Sequence, residues 1–210
     1  MEKRILTVYA PKESEKIIEK SRFLTYSAHV ESEEAARAFI AQIRSRHTLA
    51  THVCYAFIAD KTGNLQRFSD DGEPQGTAGV PMLEVLKAKK LFETAVAVVR
   101  YFGGVKLGAG GLVRAYSSCV SENLDGAEIR ALETCVEYTL CVDYTGVDGV
   151  QKYLSTHTCS LLSTDYGEKV RLIVAVKKAE ERAFITGLVD YMQGRVETER
   201  GKEYYAPFPV

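Results

Sequence analysis

A continuous apolar run that leads straight into a glycine-dense loop is the strongest constraint on how this chain folds. Residues 95–101 read Ala-Val-Ala-Val-Val-Arg-Tyr. The run leaves no polar face for solvent and predicts a central strand covered on both sides. Gly103, Gly104, Gly108, Gly110 and Gly111 follow closely. A helix then runs from Leu112 to Ala127, with Leu112, Tyr116, Cys119, Val120 and Leu124 on one apolar face. Strand, glycine loop and helix in that order present backbone N–H groups at a helix N-terminus, where an anion is favoured. Arg100, Lys106 and Arg114 add positive charge around it. Lys106 precedes the last glycines and no Ser or Thr follows it, so this is not a nucleoside-triphosphate P-loop, and the spacing does not fit GxGxxG.

A second glycine-bearing stretch lies upstream, Arg67-Phe68-Ser69-Asp70-Asp71-Gly72-Glu73-Pro74-Gln75-Gly76-Thr77-Ala78-Gly79. It reads as a polar loop from Ser69 to Gly79 feeding a helix that opens near Pro81, which suits a first helical turn, and ends near Lys89. Thr77 and Gly79 again stand at an anion-favouring helix N-terminus. Asp70, Asp71 and Glu73 oppose that reading, because carboxylates repel phosphate. Either they hold a divalent cation through oxygen ligands, or they pair with nearby arginines and shape the loop. A solvated acidic turn is the plainer alternative. Tyr101, Phe102 and Tyr116 have the rings that stack on bases, with ordinary core packing as the competing reading for each.

Local patterns place the other elements. Phe23–Val30 reads as a strand after a charged lead-in. Ser32 has the character of a helix N-cap, with Glu33 and Glu34 in the first turn and an apolar stripe at Ala36, Phe39, Ile40 and Ile43, ending near Arg46. Val53–Asp60 and Leu65–Phe68 form a hairpin around Lys61–Asn64. Beyond Ala131 the order becomes strand, helix, strand, strand, helix, strand: Thr134–Tyr144, Val147–Thr156, Cys159–Asp165, Lys169–Val176, Glu180–Met192 and Arg195–Tyr205. That is the ferredoxin-like order. Phe184, Gly187, Leu188 and Tyr191 are the expected buried stripe of its second helix. The domain boundary is expected near 128–133, giving domains 1–130 and 131–210.

Composition excludes several classes. The net charge of -1 offers no general basic surplus for nucleic acid, although the first domain carries a slight positive excess and the second a negative one. Neither a secretory signal pattern nor an apolar run of membrane-spanning length is visible. Cys54, Cys119, Cys135, Cys141 and Cys159 lack zinc or disulfide-framework spacing and are expected to be reduced, buried thiols of a cytoplasmic protein. His29, His47 and His157 read as surface or turn histidines. The apolar tail Tyr204–Val210 docks either on its own domain or on a second subunit, which leaves a homo-oligomer open.

The two glycine-bearing stretches, Arg67–Gly79 and Arg100–Tyr116, together with Ala50-Thr51-His52-Val53-Cys54-Tyr55-Ala56, resemble the signature of the IMPACT family in its bacterial YigZ-type branch. The resemblance implies an α+β protein of two domains. The N-terminal one has the fold shared by a small-subunit ribosomal protein and domain four of elongation factor G. The C-terminal one is ferredoxin-like, similar to the last domain of that factor. Eukaryotic relatives regulate translation by binding an activator of the starvation-responsive general-control kinase.

The resulting expectation is a non-enzymatic, translation-associated protein that binds RNA, a ribosomal surface or a translation-regulatory protein, without cofactor or resident metal. Its groove would lie between the two loops, lined by Arg67, Asp70, Asp71, Glu73, Gly76, Thr77, Gly79, Arg100, Tyr101, Gly103, Gly104, Lys106, Gly108, Gly110, Gly111, Arg114 and Tyr116. Arg100, Lys106 and Arg114 would contact phosphates, and Tyr101 or Tyr116 a base. One competing reading is a small-ligand, phosphate-binding or metal-dependent, dipeptidase-like enzyme using Asp70, Asp71, Glu73 and His52. Another is cysteine chemistry at Cys54, which shares a strand face with His52.

Overall fold

The computed structural model describes residues 5–209. The chain divides into two compact units, the first ending at Arg130 and the second running Ala131–Pro209. The architecture is α+β, with two sheets and five α-helices among the described residues. None of these helices is long and apolar enough to cross a membrane.

In the first unit the elements are β1 (Ile5–Val8), β2 (Lys12–Ile18), β3 (Ser21–His29), α1 (Glu33–Arg46), β4 (His52–Ile58), β5 (Gln66–Ser69), α2 (Gly79–Ala88), β6 (Thr94–Tyr101) and α3 (Gly108–Asp125). The sheet order is β2-β3-β6-β4-β5, and every pairing is antiparallel. β6 is central, as its unbroken apolar run requires. Its side chains alternate between two covered faces. Ala97 and Val99 pack with Leu24, Val53 and Ile43 of α1. Val96 and Val98 pack with Met82 and Leu86 of α2 and with Leu112, Tyr116 and Val120 of α3. Ser32 caps α1 as expected, its hydroxyl accepting the Ala35 N–H at 3.1 Å.

Two local readings change. The charged lead-in contains a full strand, β2, whose residues are all exposed or half-exposed. An edge strand in water keeps its charges, so its period-2 signal was written in Lys, Glu and Ser rather than in apolar residues. α3 begins at Gly108, one turn before Leu112, so the last glycines of the loop are helical.

The second unit comprises β7 (Ile129–Val142, whose first two residues still belong to the first unit), α4 (Val147–Ser155), β8 (Cys159–Tyr166), β9 (Val170–Lys177), α5 (Glu181–Tyr191) and β10 (Glu197–Pro209). β7–β9 and β8–β9 are antiparallel, and β10 pairs with β7, giving the order β10-β7-β9-β8. Val136, Leu140, Leu172 and Val174 form its core with Val150 of α4 and Phe184 and Leu188 of α5. Tyr191 is not part of that buried stripe and is half-exposed. The tail docks on its own unit: Phe208 is fully buried against Cys135 and Ala175. Val210 lies outside the described residues.

Candidate functional site

The acidic loop between β5 and α2 is held together by its own carboxylates. Asp70 accepts the N–H groups of Gly76, Ala78 and Gly79 at 2.9, 2.9 and 2.8 Å. These donors include the opening of α2, so the N-terminus expected to attract an anion already has one built in. Burial pushes the Asp70 carboxyl up, but the three N–H bonds outweigh it and leave it below the usual carboxylate value. A group depressed on folding contributes stability above its unfolded pKa and loses it as the pH falls through its folded one. Asp70→Ala strands three donors. It should cost about 2–3 kcal/mol at neutral pH, with the gap to wild type closing in acid. Urea titrations at a series of pH values measure both, and a gap that stays constant into acid contradicts the account.

Asp71 sits in the left-handed region at φ 44 and is locked there by two partners. One oxygen takes the Val53 N–H at 2.7 Å and the other an Arg44 N–H at 2.7 Å. Gly79 is forced by packing, because a Cβ there would lie 2.9 Å from the Ser69 backbone.

Glu73 reaches into the interior. Its Oε1 receives Arg100 Nη1 at 2.6 Å and the Tyr116 hydroxyl at 2.7 Å, and its Oε2 lies 3.9 Å from His52 Nε2. Arg100 also donates to Ser21 Oγ at 3.2 Å and lies over the rings of Phe23 and Phe102. Its Nε has no partner. Of the three arrangements open for the acids, the structure adopts pairing: with backbone N–H groups, with Arg44 and with Arg100. Among the described residues no three His, Cys, Asp or Glu side chains are grouped to hold a metal.

Several expected groove residues therefore move inside. Glu73, Thr77, Gly79, Arg100 and Tyr116 are buried. Arg100 holds Glu73 rather than offering itself to phosphate. Tyr116 is fully buried, its ring edge-on to Phe23, and presents no face for a base. Tyr101 is half-buried, with its hydroxyl 2.8 Å from His47 Nδ1. Arg67 stands apart on β5 and pairs with Glu33 at 3.4 Å. Cys54 is fully buried, with its thiol donating to the Asp70 carbonyl and burial pushing it up to about 12. A thiol held protonated in this way is no nucleophile. His52 turns to the Asp71 carbonyl instead. All five cysteines are free; Cys141 and Cys159 are only half-buried, contrary to expectation.

The second loop keeps its exposure. Gly104, Lys106, Gly108, Gly110 and Arg114 are exposed, and Gly103 and Gly111 are half-exposed. No side chain caps α3 and its first turn holds no acid, in contrast to α2 with its Asp70. Lys106 and Arg114 have no ion-pair partner among the described residues. Phe102 is 47% exposed at the loop entrance and is the accessible aromatic of the three.

One cation escaped the sequence reading. Lys20 is exposed at the tip of the β2–β3 hairpin, and its carbonyl packs on Gly103. Hairpin and glycine loop are thus in contact, although 82 residues separate Ser21 from Gly103, whose N–H reaches the Ser21 hydroxyl at 3.2 Å. The only local hint was a two-residue reversal between strands, and β2 was not recognisable as a strand.

The Impact N-terminal domain family matches residues 19–124, and a domain of unknown function (DUF1949) matches residues 140–195. IMPACT family member YvyE of Bacillus subtilis is 39% identical over 199 residues, covering 95% of this chain and 92% of the relative. IMPACT family member YigZ of Escherichia coli is 39% identical over 182 residues, covering 86% and 89%. A Saccharomyces cerevisiae protein named Protein IMPACT homolog is 32% identical over 91 residues, covering 42% of this chain and 35% of that protein. A solved structure described as a crystal structure of a hypothetical protein superposes with a TM-score of 0.62 at 36% identity, covering 94% of this chain and 97% of that one.

Proposed function

The chain belongs to the IMPACT family, and on that premise we propose that it is a non-enzymatic, translation-associated cytoplasmic protein whose glycine loop binds the phosphodiester backbone of RNA. The observation that carries this reading is the opening of α3. Its N–H groups are uncapped and exposed, no acid stands in its first turn, and Lys106 and Arg114 flank it without partners among the described residues. A helix N-terminus with adjacent cations is a site for phosphate oxygens. Phe102 supplies an exposed ring for one base beside it, and Lys20 extends the positive patch. Fold analogy supports the same direction. The order β10-β7-β9-β8 is that of a ferredoxin-like domain, and we take the two units to correspond to the resembled domains of elongation factor G.

Short single-stranded RNA at low salt tests the proposal by fluorescence anisotropy. Wild-type affinity should fall with added salt as counterions are released. Lys106→Ala and Arg114→Ala should each weaken binding across all sequences and reduce the salt slope by roughly 0.7. Absence of binding at low salt, or binding that the double variant leaves untouched, ends the proposal.

A further inference from the structure

His47 closes the C-terminal end of α1, and both of its ring nitrogens are engaged by phenols. Tyr101 Oη lies 2.8 Å from Nδ1 and Tyr26 Oη lies 2.7 Å from Nε2. Tyr26 donates its own proton to Glu13 Oε1 at 3.1 Å. That last bond fixes the direction of the whole chain. With its one proton on Glu13, Tyr26 meets His47 only as an acceptor, so Nε2 carries the N–H. A neutral imidazole has a single N–H. Nδ1 is therefore bare and takes the Tyr101 proton. Every donor points one way, from Tyr101 through His47 and Tyr26 to Glu13.

Proton uptake reverses one end. A second N–H on His47 at Nδ1 must donate to Tyr101, and the Tyr101 proton then turns away from the ring. Tyr101 ends β6, and a short turn ties His47 to the loop entrance. Ala50 N donates to the His47 carbonyl at 3.0 Å, Thr51 N to the Arg100 carbonyl at 2.9 Å, and Phe102 N to Thr51 Oγ1 at 3.0 Å.

We infer that His47 switches the Tyr101 hydroxyl between an inward donor and an outward one, so that the end of β6 offers an O–H to a phosphate oxygen only when His47 is protonated. The ligand in this inference rests on the RNA reading above; the switch does not.

The charged groups around the ring come from three elements. Arg46 of α1 lies over the Tyr26 ring and reaches Glu13 at 3.3 Å. Glu13 comes from β2. Arg22 of β3 lies 6.0 Å from the Tyr101 ring and is paired with Glu15. Burial first, then Arg46 and more weakly Arg22, hold His47 below the usual histidine value against the pull of Glu13. The inward state is therefore the one at neutral pH, and the outward state belongs to mild acid.

Two measurements on the full chain test this. Long-range proton–nitrogen NMR should show His47 as the Nε2–H tautomer at neutral pH; an Nδ1–H tautomer overturns the inference. Anisotropy with the same RNA, taken from neutral pH to below the measured His47 titration, should show affinity rising about ten- to a hundredfold, the gain of one charge-assisted hydrogen bond. His47→Gln and Tyr101→Phe should each flatten that rise. A rise that persists in either variant overturns the inference. If no RNA binds at any pH, the RNA reading falls, and the tautomer measurement still decides the switch.

Discussion

Gly103→Ala should disrupt the first unit more than any other single methyl addition in the glycine loop. A Cβ at that position would stand 1.9 Å from the Lys20 carbonyl oxygen, 2.1 Å from its carbon and 2.6 Å from the Ser21 nitrogen. All three are backbone atoms, so no rotamer change relieves the clash. Relief would require the β2–β3 turn to lift, and that turn is already strained. Glu19 and Lys20 both hold positive φ, at 45 and 64, a conformation that disfavours side chains. Lifting it would also break the Gly103 N–H contact with Ser21, the hydroxyl that holds Arg100. The cost should be at or above the upper end of the roughly 1–3 kcal/mol typical of overpacking. Native-state hydrogen exchange on the full chain separates the two units and reads it directly. Protection in the first unit should drop while the second keeps its own. Gly104→Ala is the control for space, because nothing lies within 4 Å of a Cβ there. Its cost reflects only the positive φ of 86. Equal losses from the two substitutions would contradict the close-packing account.

The second large effect concerns Glu73 and Arg100. Their side chains are 3% and 5% exposed, so neither charge has water to fall back on. Arg100→Met leaves Glu73 with the Tyr116 hydroxyl alone at bonding distance, and Glu73→Leu leaves a guanidinium between two phenyl rings. Breaking a buried pair from one side costs about 3–5 kcal/mol. Replacing both partners with apolar groups is often nearly neutral, because the desolvation penalty disappears together with the attraction. Glu73→Leu with Arg100→Met should therefore recover most of what either single change loses, with a coupling energy of about 5 kcal/mol or more, larger than either single loss. Urea denaturation of the four proteins in the cycle measures it. Additive losses would show that the pair is not the linchpin between the acidic loop and β6. The same cycle bears on function. Under the RNA proposal, if the buried pair only builds the scaffold, the Glu73–Arg100 double variant should bind RNA as the wild type does, and the Lys106 and Arg114 variants should bind less without losing stability.

Much of the fold was legible because its signals are local. A covered strand announces itself by having no polar face, as at residues 95–101. An amphipathic helix does so by its stripe, as in α1 with Ala36, Ile40 and Ile43. The order of elements after Ala131 needed nothing more. β2 was missed because an edge strand answers to water rather than to a core. The first turn of α3 was missed because glycine argues against helix wherever packing and the following apolar face do not override it.

The site divides differently. From the sequence alone, it was clear that the stretch from Arg67 to Tyr116 concentrates glycines and charges beyond the needs of a plain loop, while its acids could hold a cation, pair with arginines or lie solvated in a turn. Only the tertiary structure decided which. The partners lie far apart along the chain: Glu73 and Arg100 are 27 residues apart and His47 and Tyr101 are 54 apart. Pairing over such distances is set by which strands adjoin and which face each residue takes. Arg100 and Tyr101 are neighbours in sequence, yet the alternation of β6 sends one to Glu73 and the other to His47. That alternation turned Arg100 inward, while Phe102 and Lys106, beyond the end of β6, and Arg114 on α3 stay at the surface.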